Sequence, residues 1–290
     1  MNVIVIGQTS YDITCNLTEK LVEDRKYRFE NDFKCPGGPA FNSACLLGKW
    51  GIDTYLVSRI NDDNFGKAAK REARICKVNL DYLIEDKELA TPYSFILISE
   101  GKRTIFNVAG KSNKIKYTIG INNSDYILTD AHEKEISLDY FASFPHAVKI
   151  MDGGSFNNDR LEVAKKTDYL IVSAQFAQGY TGEIINESNY REIFTKVESI
   201  NKKEAVITLG EKGLIYRCNG VISIMPAYKV NSIDTTGAGD IFHGSFTYFL
   251  MNGYDYYTSL HLAAKTAAIS TEKIGGYTSI PDLKAVLQID

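Results

Sequence analysis

The residues best suited to chemistry lie in one short stretch, Asp234-Thr235-Thr236-Gly237-Ala238-Gly239-Asp240-Ile241-Phe242-His243-Gly244. Phe242, Phe246, Phe249 and Leu250 follow at three- and four-residue spacing, which predicts a helix with an apolar face. Two glycines flanking an alanine at a helix start leave backbone N–H groups bare, and the helix dipole places partial positive charge there. Such a turn receives anions and suits phosphoryl oxygens. Asp240 follows directly, on the first helical turn. A carboxylate beside an oxyanion cradle is what phosphorylation of an alcohol requires: a base for the hydroxyl proton, and donors for the charge on the transferred group. On spacing alone, a capped helix with a Gly-rich entry fits equally well. There is no GxxxxGK[ST] and no GxGxxG after the first apolar run, where Gly7 is the only glycine before Asp12. A P-loop enzyme or a nicotinamide dehydrogenase is therefore disfavoured.

The elements that must position these residues can be read from the hydrophobic pattern. Residues 3–6 form a β-branched run ended by Gly7, as expected of a strand covered on both faces, and similar runs recur at 54–57, 126–128, 148–150, 169–172 and 205–208. Between most of them lie stretches of helical period at 40–49, 65–76, 138–144, 160–166 and 190–200. This alternation implies βαβ units and a mostly parallel, doubly wound sheet between helical layers, an α/β fold. Two segments break the rhythm and read as small antiparallel pieces. One is 13–34; the other is 93–108, a hairpin around Glu100-Gly101-Lys102-Arg103. A later hairpin turns at Asn219-Gly220, the pair favoured in type I′ turns, and the chain then reads as helical, broken at Gly275-Gly276 and Pro281.

Composition narrows the function classes. The 290 residues carry 33 Lys+Arg against 36 Asp+Glu, a net charge of −3 without runs of like charge. That is no footprint for nucleic acid and no polybasic membrane patch. The five cysteines (Cys15, Cys35, Cys45, Cys76, Cys218) show neither CxxC nor metal-ligand spacing, as in a reducing compartment. The N-terminal apolar run is far shorter than the ~20 residues of a membrane span and lacks a basic flank, so a cytoplasmic protein is expected.

The stretch 234–240 with Phe242 and Gly244 resembles the C-terminal signature of the ribokinase-like, or PfkB, carbohydrate kinases. Pro36-Gly37-Gly38-Pro39-Ala40-Phe41-Asn42-Ser43-Ala44 resembles the Gly-Gly substrate motif of that family, and Ser58-Arg59-Ile60-Asn61-Asp62-Asp63-Asn64-Phe65-Gly66 its N-terminal signature. The motifs stand in family order over essentially the whole chain. The resemblance implies a three-layer ribokinase-like domain over 1–290, with a small β lid from two insertions at about 11–35 and 90–112. It implies Asp240 as catalytic base, and the amides of Gly237, Ala238 and Gly239 as anion hole. Asp12 would hold two sugar hydroxyls, with Gly37, Gly38 and Asn42 beside it, and Asp130 or His132 would also reach the substrate. Thr208, Gly210 and Gly213, in Thr208-Leu209-Gly210-Glu211-Lys212-Gly213, would contact ATP, and Mg²⁺ would bridge its phosphates. Asp234, Thr236 and Ser279 resemble the oxygen ligands of a monovalent-cation site, which would be filled by K⁺. A homodimer through the lid would follow relatives of this family.

The sequence also departs from the pattern. Ser173-Ala174-Gln175-Phe176 stands where the family carries Asn-x-x-Glu, so the carboxylate that helps order Mg²⁺ is missing, and Asn61 replaces a more usual glycine. Lys102 and Arg103 would suit a sugar phosphate, but exposed turn charges explain them more simply, so an unphosphorylated sugar is preferred. A nucleoside kinase of the same fold is the alternative, since a nucleoside also carries a diol and Tyr11, Phe41 and Phe106 would offer rings for a base to stack on. A catalytically silent sensor is a third reading.

Overall fold

The computed structural model describes residues 1–99, 102–108, 116–201 and 203–288. Its strands are β1 (Asn2–Ile6), β2 (Ser10–Leu17), β3 (Phe33–Gly37), β4 (Asp53–Val57), β5 (Arg59–Ile60), β6 (Ile84–Glu85), β7 (Tyr93–Ser99), β8 (Lys102–Val108), β9 (Tyr126–Thr129), β10 (Val148–Gly153), β11 (Tyr169–Ser173), β12 (Glu204–Thr208), β13 (Leu214–Cys218) and β14 (Val221–Met225). The helices are α1 (Pro39–Lys49), α2 (Asn64–Ile75), α3 (Lys134–Ser143), α4 (Asn158–Ala164), α5 (Ala174–Thr181), α6 (Tyr190–Glu198), α7 (Ala238–Met251), α8 (Tyr256–Ser270) and α9 (Leu283–Gln288).

The main sheet runs β14-β13-β12-β11-β10-β9-β1-β4. Six strands from β12 to β4 are parallel, and the β13–β14 hairpin continues it antiparallel. Strand period explains why both faces are apolar. Val3 and Val5 join the core under α1, α2, α7 and α8, whereas Ile4 and Ile6 join the core under α3, α4, α5 and α6. The same division separates Ile150 from Met151 and Ile171 from Leu170. Covering each face with helices satisfies a sheet whose strands carry no polar face.

A second sheet, β3-β2-β7-β8, lies apart from the first in the pairing scheme and forms the lid. Each of the two segments is an antiparallel pair, as read, and the two are joined where β2 pairs with β7 in parallel, Tyr11 opposite Tyr93 through Leu17 opposite Ser99. Only β2–β3 and β7–β8 are antiparallel. The two inserted segments meet through main-chain bonds, so a single mixed sheet results. The side chains of Lys102 and Arg103 lie outside the described residues. Among the described residues no helix is long and apolar enough to cross a membrane.

The sheet order reverses beside β1, which is flanked by β9 and β4. Loops leaving the carboxyl ends of β1 and β9 diverge there, opening the crevice in which α/β sheets bind ligands.

Candidate active site

Asp240 sits on the first turn of α7, which begins after Gly237 in a left-handed conformation (φ 76). A Cβ at Gly237 would come within 2.6 Å of the Gly276 Cα, so a side chain there is opposed both by backbone conformation and by space. The turn is thereby pressed against the 275–277 loop. Ala238 and Gly239 line a cleft of about 740 Å³ together with Thr208, Gly210 and Gly213. The two segments expected to meet a nucleotide, far apart in sequence, thus share one cavity. Its opposite wall comes from α8, through Ala264, Ala267, Ala268 and Thr271, and from residues 225–230 after the β13–β14 hairpin.

The Asp240 carboxylate is partly buried and is held from α1. Asn42 Nδ2 donates to Asp240 Oδ2 at 2.6 Å, and the Asn42 Oδ1 accepts from the Tyr277 N–H at 2.9 Å. Ser43 Oγ donates to the Asp240 carbonyl at 2.9 Å, fastening the same turn of α7 to α1. Asn42 thus has both ends of its carboxamide engaged within the protein. Burial pushes the Asp240 carboxyl up to about 8; the nearby carboxylates of Asp152, Asp130 and Asp12 add to the rise and the Asn42 amide opposes it. A carboxylate so tuned accepts a proton readily near neutral pH.

Asp12 lies on β2 and is almost wholly buried, with Ser10 Oγ 3.5 Å from its Oδ1. Across the strand pair Ser10 is opposite Gly37, the last residue of β3, and a Cβ on Gly37 would lie 2.2 Å from Asp12 Oδ2. Glycine is needed here because the carboxylate occupies the place of a side chain. Gly38 then caps α1.

Asp130 follows β9 at the switch point. Its Oδ2 accepts from the Gln8 N–H at 2.8 Å and the Ala40 N–H at 3.3 Å; its Oδ1 accepts from the His132 N–H at 2.9 Å and faces His132 Nδ1 at 3.1 Å. Burial alone would raise this carboxyl, but the His132 ring and these N–H donors outweigh it and hold it below the ordinary value. His132 Nε2 in turn lies 2.8 Å from Arg160 Nη2. The carboxylate therefore ties the loop after β1 to the start of α1.

At the expected cation site, Asp234 Oδ1 accepts from the Thr236 N–H and Oδ2 from the Gly275 N–H, each at 2.9 Å, bridging the loops before α7 and after α8. Ser279 Oγ donates to the Gly276 carbonyl at 2.7 Å. Thr236 Oγ1 is buried without a hydrogen-bond partner. An orphaned hydroxyl beside a buried carboxylate fits a monovalent cation. The Asn-x-x-Glu position does not fit a metal role: Ser173 Oγ caps α5 by accepting from the Phe176 N–H, and the Phe176 ring is fully buried against Phe156.

Of the rings proposed to stack on a base, Phe41 is corrected, being completely buried in the core. Tyr11 has one face covered by Phe65, with ring centroids 4.4 Å apart, while Phe106 is half-exposed on the outer lid strand. Two residues near Asp240 escape sequence reasoning. Asp152 is the penultimate residue of β10 and His243 follows Asp240 on α7, with His243 Nδ1 3.2 Å from Asp152 Oδ2. The available signal was a histidine embedded in an otherwise apolar helix run.

A doubly wound sheet with a lid, a glycine-flanked helix start and a buried carboxylate on its first turn match a phosphotransferase with an alcohol group as acceptor. The chain belongs to the pfkB family of carbohydrate kinases, whose sequence pattern matches residues 1–283. It is similar to the ribokinase of Staphylococcus aureus (strain COL), 24% identical over 300 residues and covering 99% of each chain. The structure of Arabidopsis thaliana ribokinase complexed with ribose and ATP superposes with a TM-score of 0.85 at 23% identity, over 99% of this chain and 97% of that one. A nucleoside kinase of Methanocaldococcus jannaschii, described as an archaeal member of the ribokinase family, superposes with a TM-score of 0.79 at 20% identity, over 99% and 97%. At these identities the structural likeness establishes the fold.

Proposed function

We propose that this protein is an ATP-dependent kinase of a sugar or sugar-like alcohol, with Asp240 as the general base. The observation that carries the reading is the position of Asp240. It directly follows Ala238 and Gly239, which line the cleft with Thr208, Gly210 and Gly213, and its carboxylate is held by Asn42 of α1. Asp12, buried on lid strand β2, offers two acceptor oxygens to a vicinal diol, and Gly37 and Gly38 let backbone approach the sugar. The acceptor hydroxyl gives its proton to an Asp240 oxygen as its own oxygen takes the γ-phosphoryl group. The amides of Gly237, Ala238 and Gly239 face the charge spread over the transferred oxygens. Asp130, with protein donors on both oxygens, is better suited to holding the substrate loop than to touching substrate, and Asn42 to orienting Asp240. Lid closure over the site would exclude water and limit hydrolysis of ATP.

Mg²⁺ supplies charge neutralisation on the nucleotide phosphates, and with Phe176 in the core no side chain at the usual position helps place it. K⁺ would be held by Asp234, Thr236 and Ser279. The ribose and ATP of the Arabidopsis structure support a pentose-sized sugar and ATP. Half-exposed Ile105, Phe106 and Val108 on the lid's edge strand support pairing of two copies. A panel of sugars and nucleosides, read by ATP consumption with Mg²⁺ and with or without K⁺, tests the reading. Turnover on a free sugar supports it, turnover confined to nucleosides replaces it with the nucleoside-kinase reading, and binding of sugars and ATP without phosphoryl transfer refutes it.

A further inference from the structure

His243 is nearly fully buried, and every polar group around its ring is an acceptor. Nδ1 lies 2.6 Å from the Gly239 carbonyl oxygen and 3.2 Å from Asp152 Oδ2, and Nε2 lies 3.2 Å from the Ile171 carbonyl oxygen. A neutral imidazole has one N–H and one lone pair, so either tautomer would turn a lone pair toward a carbonyl oxygen. Only the doubly protonated ring donates on both sides. The counter-charge is at hand: Asp152 is buried, and its Oδ2, without a hydrogen-bond partner of its own, faces the ring. Burial raises the Asp152 carboxyl above its ordinary value and Asp130 adds to the rise, while the His243 ring, His132 and Arg160 oppose it.

The ring joins three elements. Gly239 belongs to the first turn of α7, Asp152 to β10 and Ile171 to β11. That turn carries the amide cradle on one side and Asp240 at its end. We propose that His243 is a buried imidazolium paired with Asp152, and that the pair are positioning residues which seat the first turn of α7 on the sheet and thereby fix Asp240 and the amide cradle. The inference rests on the reading of Asp240 as base for its kinetic consequence, though the protonation of His243 is independent of it. A cation beneath this turn also strengthens the positive end of the helix where phosphoryl oxygens would bind. The groups facing Asp240 are Asn42 from α1, Asp12 from the lid, Asp130 after β9 and Asp152 from β10. Of these, Asp130 faces His132 and Asp152 faces His243.

The direct test is ¹H–¹⁵N correlation spectroscopy of the full chain labelled with [¹⁵N]histidine, with His243 assigned by its disappearance in His243→Asn. The expected result is a proton on both ring nitrogens of His243 across neutral pH. Asp152→Asn is expected to leave one proton on the ring. It should lower kcat on ribose, or on the sugar the panel selects, by about tenfold to a hundredfold, the scale of a small misplacement of reacting groups. KM for ATP should stay within about twofold. The loss of the second ring proton in folded Asp152→Asn is a readout that a purely structural defect would not give. Thermal melts establish that the variant is folded, and the wild-type spectrum needs no variant to be folded. A neutral His243 in the wild type, or an unchanged kcat in folded Asp152→Asn, overturns the proposal. An active Asp240→Asn would instead overturn the reading of the base and leave the His243 result standing.

Discussion

Replacing Asn42 with alanine removes two hydrogen bonds at once, one to the proposed base and one to the loop that flanks it. The first is a 2.6 Å bond from the Asn42 amide to Asp240 Oδ2. A hydrogen bond to a charged group contributes about 1.5–3 kcal/mol, and 1.36 kcal/mol corresponds to one pKa unit. The bond favours the ionised carboxylate, so its loss raises the Asp240 pKa further. Allowing for screening at a partly buried carboxylate, a rise of about one unit is expected. The acid limb of the kcat/KM profile should therefore move up by about one pH unit, with activity at neutral pH reduced accordingly. The second bond, from the Tyr277 N–H at 2.9 Å, leaves a buried donor unpaired when it is lost. That costs about 1–3 kcal/mol, or roughly 5 °C in Tm for a chain of this size. The assay is ADP release between pH 5 and pH 9, with a melt recorded alongside. An acid limb that stays in place, or moves down, in a folded Asn42→Ala refutes the electrostatic argument.

Other expectations follow from the same geometry. Burial raises the Asp240 pKa in the folded state, so between the ordinary aspartate value and about 8 the folded protein holds more protons than the unfolded chain. Its contribution to stability is fullest below the unfolded value and is lost as pH rises through the folded one. Asp240→Asn should thus melt above the wild type at pH 8, with the gap closing toward pH 4; an equal gap at both pH values would contradict the raised pKa. Gly37→Ala places a Cβ 2.2 Å from Asp12 Oδ2, so KM for the acceptor should rise at least tenfold while KM for ATP is little changed, as steady-state kinetics will show. Asp130→Ala strands the N–H groups of Gln8, Ala40 and His132. It should cost about 3 kcal/mol in denaturant unfolding, and a variant as stable as wild type would remove Asp130 from its anchoring role.

The central sheet was legible because its strands are buried on both faces: 3–6, 169–172 and 205–208 are continuous apolar runs that no helix or loop of this length explains. The lid was legible only as a polar, alternating segment at 13–34 and a separate hairpin at 93–108. Nothing in the local pattern of 10–17 and 93–99 says that they pair with each other, still less in parallel, because that pairing joins edges distant along the chain. Helix α5 was passed over since its first residues occupied a motif position, and a Ser that caps a helix looks the same as a Ser that has replaced a ligand. In the site, Asp240 was visible because it sits in a dense local motif. Asn42 was visible through the resemblance of 36–44 to a substrate motif, but not its direction: its partners, Asp240 and Tyr277, come from the far end of the chain. Asp152 gave no local sign and His243 only that of a histidine in an apolar helix run, since the two acquire meaning only when the sheet brings them together.

The most direct test of the account is the turnover of Asp240→Asn, which keeps the size of the side chain and removes its ability to take a proton. With a sugar acceptor and ATP it should fold, bind both ligands by calorimetry, and lose about 10²–10⁴ in kcat. Turnover close to wild type in a folded, ligand-binding Asp240→Asn would contradict the assignment of the base.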